Sequence, residues 1–298
     1  MKLVKIGKTM VAGLCIAATL AGAALPTLAV SPAGYTSLSQ IEEMNDAVTP
    51  EQVEALINQI GPITLDSATA IANAQGAYAA LPNEWKAMVS NYATLELAQE
   101  ELENLQVEEL TKKLNAGLYK EHDDVENYDC YLWAGWPNTD QTNFAMPYFC
   151  VSPQNGIEPL RMMYCSYKSS WLFLNEVVYS VDGEIYRKNL DTSKRFSKTV
   201  VEFKNVYTWE KIDDIADSKE IEMLRKATAS ENPVIRLKGD GGKVDLHITG
   251  LYENYNKSLI AFFDAYDSLM DASPEVQMRA LANMKTHSSN SKFIRLGY

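Results

Sequence analysis

The spacing of apolar residues changes character near Leu114, and this change constrains the fold more than any other feature of the chain. Upstream, apolar side chains recur at the three- and four-residue intervals of a helix. Downstream, they alternate with polar ones as in half-exposed strands. Two modules are therefore expected in the 298 residues, a length that allows two cores. Residues 49–115 read as a small helical bundle, and residues 116–272 as an α+β domain built on an antiparallel sheet with packed helices. Residues 273–298 read as a short helix and a polar tail.

The helical module has strong local signals. Thr49-Pro50-Glu51-Gln52 opens the first helix: threonine caps, proline suits the first helical position, and Gln52 reaches back to complete a capping box. Val53, Leu56, Ile57 and Ile60 follow at helical spacing, and Gly61-Pro62 ends the run. Asp66 is the expected cap of a second helix carrying Ile71, Ala74, Tyr78 and Leu81. A third starts near Asn83, with Trp85, Val89, Tyr92, Leu95 and Leu102 on its apolar side and an interruption at Asn91-Tyr92-Ala93-Thr94. Tyr78, Trp85 and Tyr92 are expected in the core, because apolar stripes at helical spacing usually pack.

In the second half, 147–152, 160–167, 171–181 and 199–209 are strand candidates. Asp182-Gly183 between Val181 and Glu184 has the composition of a two-residue type I′ hairpin turn. A second hairpin is expected around Gly239-Asp240-Gly241-Gly242, flanked by alternating Ile235, Leu237, Val244 and Leu246. Residues 219–229 read as a helix, and a long helix capped by Thr249 carries Leu251, Tyr255, Leu259, Phe262, Tyr266 and Leu269 along one side. Ser273-Pro274-Glu275 starts one more.

The first 29 residues have the layout of a secretory signal peptide. Lys2, Lys5 and Lys8 precede an apolar run from Met10 to Leu25, and Pro26-Thr27-Leu28-Ala29 supplies small residues for cleavage after Ala29. Residues 30–48 then form a linker. Cys15 lies inside the apolar run after Leu14, unlike a lipidation site. A secreted or cell-surface location is expected, with no stable membrane insertion once the signal is removed. The formal net charge of -12 argues against nucleic acid as a partner, which selects for a basic face. Beyond Cys15, Cys130, Cys150 and Cys165 allow at most one internal bridge; three buried thiols are the alternative.

The residues Ile60-Gly61-Pro62-Ile63-Thr64-Leu65-Asp66-Ser67, Ala77-Tyr78, Leu81, Val89-Ser90-Asn91-Tyr92 and Leu95 resemble small helical modules of Gram-positive secreted and surface proteins. Asn83-Glu84-Trp85 departs from the usual start of the last helix of such modules. Leu160-Arg161, Trp171-Leu172-Phe173, Val181-Asp182-Gly183, Tyr186 and Val234-Ile235-Arg236-Leu237-Lys238-Gly239 are similar to uncharacterised C-terminal domains of secreted Gram-positive proteins. The resemblance implies a spacer or interaction module and a compartment, not a reaction.

The sequence carries few signals of chemistry. His122, His247 and His287 are the only histidines, and none has metal-ligand spacing. His122-Asp123-Asp124 reads as a solvated loop and Asp240-Gly241-Gly242 as a turn, so no metal and no cofactor is expected. The aromatic segment from Tyr128 to Trp136 is the leading surface candidate, with Tyr131, Trp133 and Trp136 as ligand-binding rings; the competing reading makes it an edge strand covering the core. The function expected is a secreted, non-catalytic binding or structural module. It would act at the cell envelope or on an extracellular partner: a cell-wall polymer, a glycan or a protein. The alternative is a glycosidase-like secreted hydrolase whose carboxylate pair is assembled only by the fold.

Overall fold

The computed structural model describes residues 48–123, 127–133, 142–202, 204–247 and 253–286. The signal segment, most of the linker, Asp124, Trp136, Thr249, Leu251 and the tail from His287 lie outside the described residues. The chain combines helices with antiparallel sheets and divides into two compact units between Leu105 and Gln106.

In the first unit, α1 (Pro50–Asn58) begins with the reciprocal cap expected of Thr49 and Gln52: the Gln52 amide donates to Thr49 Oγ1 at 3.3 Å, and the Thr49 amide donates to Gln52 Oε1 at 2.9 Å. Asp66 does not cap the second helix. It lies inside a 3-10 turn, Leu65–Ser67, that leads into α2 (Ala68–Ala80), and the Thr64 amide donates to Ser67 Oγ at 3.0 Å. A single-turn helix α3 (Asn83–Lys86) follows, and α4 (Tyr92–Gly117) starts afresh at Tyr92. The break before α4 is held from α1. Glu54 Oε1 accepts from the Ser90 amide at 2.7 Å and the Ser90 hydroxyl at 2.6 Å, and these bonds keep its carboxyl below the usual range. Val53, Ile57, Ile71, Ala74, Leu81, Val89, Leu95, Ala98 and Leu102 make the core of this unit. Further along α4, Val107, Leu110 and Leu114 belong to the core of the second unit.

Among its described residues, the second unit holds two sheets. In chain order, β1 (Leu118–Asp123), β2 (Tyr128–Trp133), β3 (Phe144–Ser152), β4 (Gly156–Ile157) and β5 (Arg161–Lys168) are followed by β6 (Leu174–Val181) and β7 (Glu184–Asn189), then β8 (Phe196–Glu202) and β9 (Asn205–Ile215). The stretch 199–209, expected as one strand, is thus two strands of a hairpin. The first sheet has the order β1-β2-β3-β5-β9-β8, with β4 paired to β3. Helix α5 (Ser218–Ala229), capped by Asp217, precedes β10 (Val234–Gly239) and β11 (Gly242–His247), which complete a second sheet of order β11-β10-β6-β7. Helices α6 (Glu253–Asp271) and α7 (Pro274–Asn283) end the described chain, with Ser273 capping α7.

Two hairpins follow their turn chemistry. Asp182 and Gly183 both take positive φ, 48° and 84°, between the paired Val181 and Glu184, as a type I′ turn requires. The β10–β11 turn needs glycine for a second reason. A Cβ on Gly239 would collide with the carbonyls of Leu172 and Phe173, and one on Gly241 with that of Trp171. The segment from Trp171 to Phe173 is no strand. It is a bend pressed against this hairpin, with Phe173 at φ 55°.

Cys130 and Cys150 face each other across β2 and β3 and form the one disulfide among the described residues, with Cα atoms 4.3 Å apart. Cys165 is buried outside that bridge. No described helix is long and apolar enough to cross a membrane.

Candidate binding cleft

The described part of the aromatic segment singled out in the sequence, Tyr128–Trp133, does not form an open surface. Tyr131 is 1% exposed and Trp133 3% exposed. Their strand is interior to the sheet, between β1 and β3, so neither the binding reading nor the edge-strand reading holds for these two rings. One face of β2 and β3 is covered by α6. Trp133 meets Tyr255 edge-on at 4.9 Å, Tyr131 stacks on Phe149 at 4.9 Å, and Phe149 packs against Tyr266 at 5.3 Å. Trp136 lies outside the described residues.

The buried carboxylates of the second unit fasten the fold. Glu220, fully buried, accepts from the hydroxyl of Tyr179 at 2.6 Å, from the Lys188 ammonium at 2.8 Å, and from the hydroxyl of Tyr164. Burial and the adjacent carboxylate push both tyrosine hydroxyls well above their ordinary range. Glu210 accepts three successive backbone amides, Leu172 at 2.5 Å, Phe173 at 3.0 Å and Leu174 at 2.9 Å, which holds the bend described above. Asp213 receives Arg161 Nε at 3.0 Å and the Tyr148 hydroxyl. On the opposite side of the sheet, His122 Nδ1 lies 2.8 Å from Asp129, which also pairs with Lys120 at 3.0 Å. No described group of three or more His, Cys, Asp or Glu side chains is arranged to hold a metal ion.

A cleft with the composition of a ligand site lies in the first unit instead. Gln75, Tyr78 and Ala79 form one stripe of α2, and Tyr92, Leu95, Glu96 and Gln99 form one stripe of α4, both at three- and four-residue spacing. Where the two stripes face each other they line a cleft of about 440 Å³, within the range of small-molecule sites. Tyr78 and Tyr92 are half-buried and stack at 4.0 Å between centroids. Gln75 Nε2 donates to Gln99 Oε1 at 3.2 Å, and Gln99 Nε2 donates to Glu103 Oε1 at 2.5 Å. The Lys86 ammonium stands 5.7 Å from the Tyr78 ring centre. Two tyrosines assigned to the core by their spacing therefore line the cleft as well as packing against the core. The rings offer apolar area with hydroxyl tips, the two glutamines offer both donors and acceptors, and Glu96 offers an acceptor. The chain matches no family model, no curated protein and no solved structure.

Proposed function

We propose that the chain is an exported, non-catalytic binding protein whose N-terminal helical bundle holds a glycan at the Tyr78–Tyr92 cleft, at the cell envelope or on an extracellular polymer. The observation that carries this reading is the composition of the cleft: a stacked tyrosine pair framed by Gln75, Gln99 and Glu96. A sugar ring has C–H faces that pack on tyrosine and hydroxyls that pair with amides and carboxylates. The Cys130–Cys150 bridge supports export, since disulfides persist in oxidising compartments. The signal-like segment before Val30 supports it independently. The acidic balance of the chain supports an uncharged or basic ligand over an anionic one. A retaining or inverting hydrolase needs two carboxyls across its substrate, and the cleft lining offers one, Glu96.

Capture of the full chain on purified cell-wall polymer and on a panel of neutral and amino-sugar oligosaccharides tests the reading. Retention that is lost in Tyr92→Ala and Gln99→Ala, with the fold intact by circular dichroism, is expected. Retention unchanged in both variants, or no retention on any glycan, contradicts it.

A further inference from the structure

The face of the first sheet turned away from α6 carries a row of three side chains that the binding function does not use. Glu121 on β1 is register partner to Cys130 on β2, and Cys130 is register partner to Cys150 on β3. Directly opposed residues share a face, with Cβ atoms about 4.5–5.5 Å apart. The Glu121 side chain is therefore a neighbour of Cys130 on the face that carries the Cys130–Cys150 bridge. Glu121 is only 2% exposed, and its Oε2 is buried with no hydrogen-bond partner. A buried carboxyl left unpaired costs free energy and has no structural task of the kind that occupies Glu210 and Glu220.

We propose that Glu121 is the proton donor and acceptor for thiol–disulfide exchange at Cys130–Cys150, with an extracellular dithiol as the co-reactant. A thiolate of that dithiol attacks Sγ of Cys150, the less deeply buried of the two residues. A sulfur–sulfur bond forms between the dithiol and Cys150, the Cys130–Cys150 bond breaks, and its electron pair goes to Cys130 Sγ. The Glu121 carboxyl gives that sulfur its proton and becomes a carboxylate. The second thiol of the reductant then displaces Cys150, which takes a proton from solvent. The two cysteines gain two electrons and two protons, one proton from Glu121 and one from solvent, and the reductant leaves as a disulfide. In the reverse direction the Glu121 carboxylate takes the Cys130 proton as the bridge re-forms.

Desolvation pushes the Glu121 carboxyl up to about 7, so the acid and the base form are both populated near neutrality, where a proton relay is most effective. The other titratable groups on this face include Tyr119 and Asp123 of β1, Tyr128 of β2 and Tyr148 of β3, with Arg161, Cys165 and Tyr167 of β5, Asp213, Lys211 and Tyr207 of β9 and Lys198 of β8 beyond them. Lys120, His122 and Asp129 alternate to the opposite face.

Reduction of the full chain by dithiothreitol, followed by alkylation and peptide mapping of Cys130 and Cys150, tests the proposal. The reductant thiolate concentration is held constant as pH is varied. The wild-type rate constant should fall as pH rises through about 7, because the proton donor is lost. Glu121→Gln should be slower at acid pH by about tenfold or more and flat with pH. A Gln variant with the wild-type profile overturns the proposal. Should that variant not fold, the carboxyl carbon of Glu121 can be titrated by NMR in the wild-type protein. Different midpoints in the disulfide and dithiol forms are expected, and identical midpoints overturn it.

Discussion

The rings of Tyr78 and Tyr92 lie 4.0 Å apart between centroids with planes 21° apart, and so join α2 to the first turn of α4 along the cleft. Such a pair contributes about 0.5–1.5 kcal/mol beyond the area it buries. A double-mutant cycle with Tyr78→Leu and Tyr92→Leu, read by urea unfolding, is expected to return a coupling energy in that range. A coupling indistinguishable from zero would mean that the rings are neighbours without mutual support.

Trp133 is predicted to act on stability alone. It packs edge-on against Tyr255 inside the second unit, so Trp133→Ala should cost about 3–5 kcal/mol. Glycan retention per folded molecule should stay at the wild-type level. A well-folded Trp133→Ala protein with weakened retention would return this residue to the binding surface.

Much of the fold is legible in local signals. The Thr49–Gln52 cap and the Asp182-Gly183 turn involve residues within a few positions of one another, and both have the conformations their composition dictates. Strand β1 is harder to read, because Leu118–Asp123 places Lys120 and Glu121 at buried positions where alternation predicts at most one polar residue. Lys120 is tolerated there by Asp129, a partner on another strand. The Tyr128 to Trp136 segment is rich in aromatics whether it faces solvent or core. What decides the matter for Tyr131 and Trp133 is the arrival of α6, which no local pattern announces. The cleft is hidden for a related reason. Helical spacing gives the stripes of α2 and α4 separately, but the gap between them is a property of how the two helices pack.

Glu210 is predicted to be the most sensitive single carboxylate. Its removal strands the amides of Leu172, Phe173 and Leu174 together, and buried unpaired donors cost about 1–3 kcal/mol each. Glu210→Ala should therefore cost about 3 kcal/mol or more, with Glu210→Gln intermediate because one acceptor oxygen remains. Hydrogen exchange of these three amides should accelerate in both variants. Unchanged protection would show that the bend is held by other contacts.

Glu121 gives the stability a pH dependence of defined sign. Its carboxyl is raised from 4.5 to about 7 in the folded protein by burial, so the folded state holds this proton more tightly than the unfolded chain. The contribution is complete below about 4.5 and is lost as pH rises through about 7. Relative to Glu121→Gln, the wild-type melting temperature should fall between pH 5 and pH 8. A difference between the two proteins that is constant across that interval contradicts the assignment.

A ligand held between α2 and α4 must act first on the side chains that line the cleft. Aromatic and side-chain amide NMR spectra of the full chain, recorded during titration with an oligosaccharide that the protein retains, test it most directly. Saturable shifts of the Tyr78 and Tyr92 ring signals and of the Gln75 and Gln99 amide groups are predicted, with the signals of Tyr131, Trp133 and Trp209 unmoved. Saturable binding that leaves Tyr78 and Tyr92 unshifted and perturbs the second unit instead would place the ligand outside this cleft and overturn the proposed site.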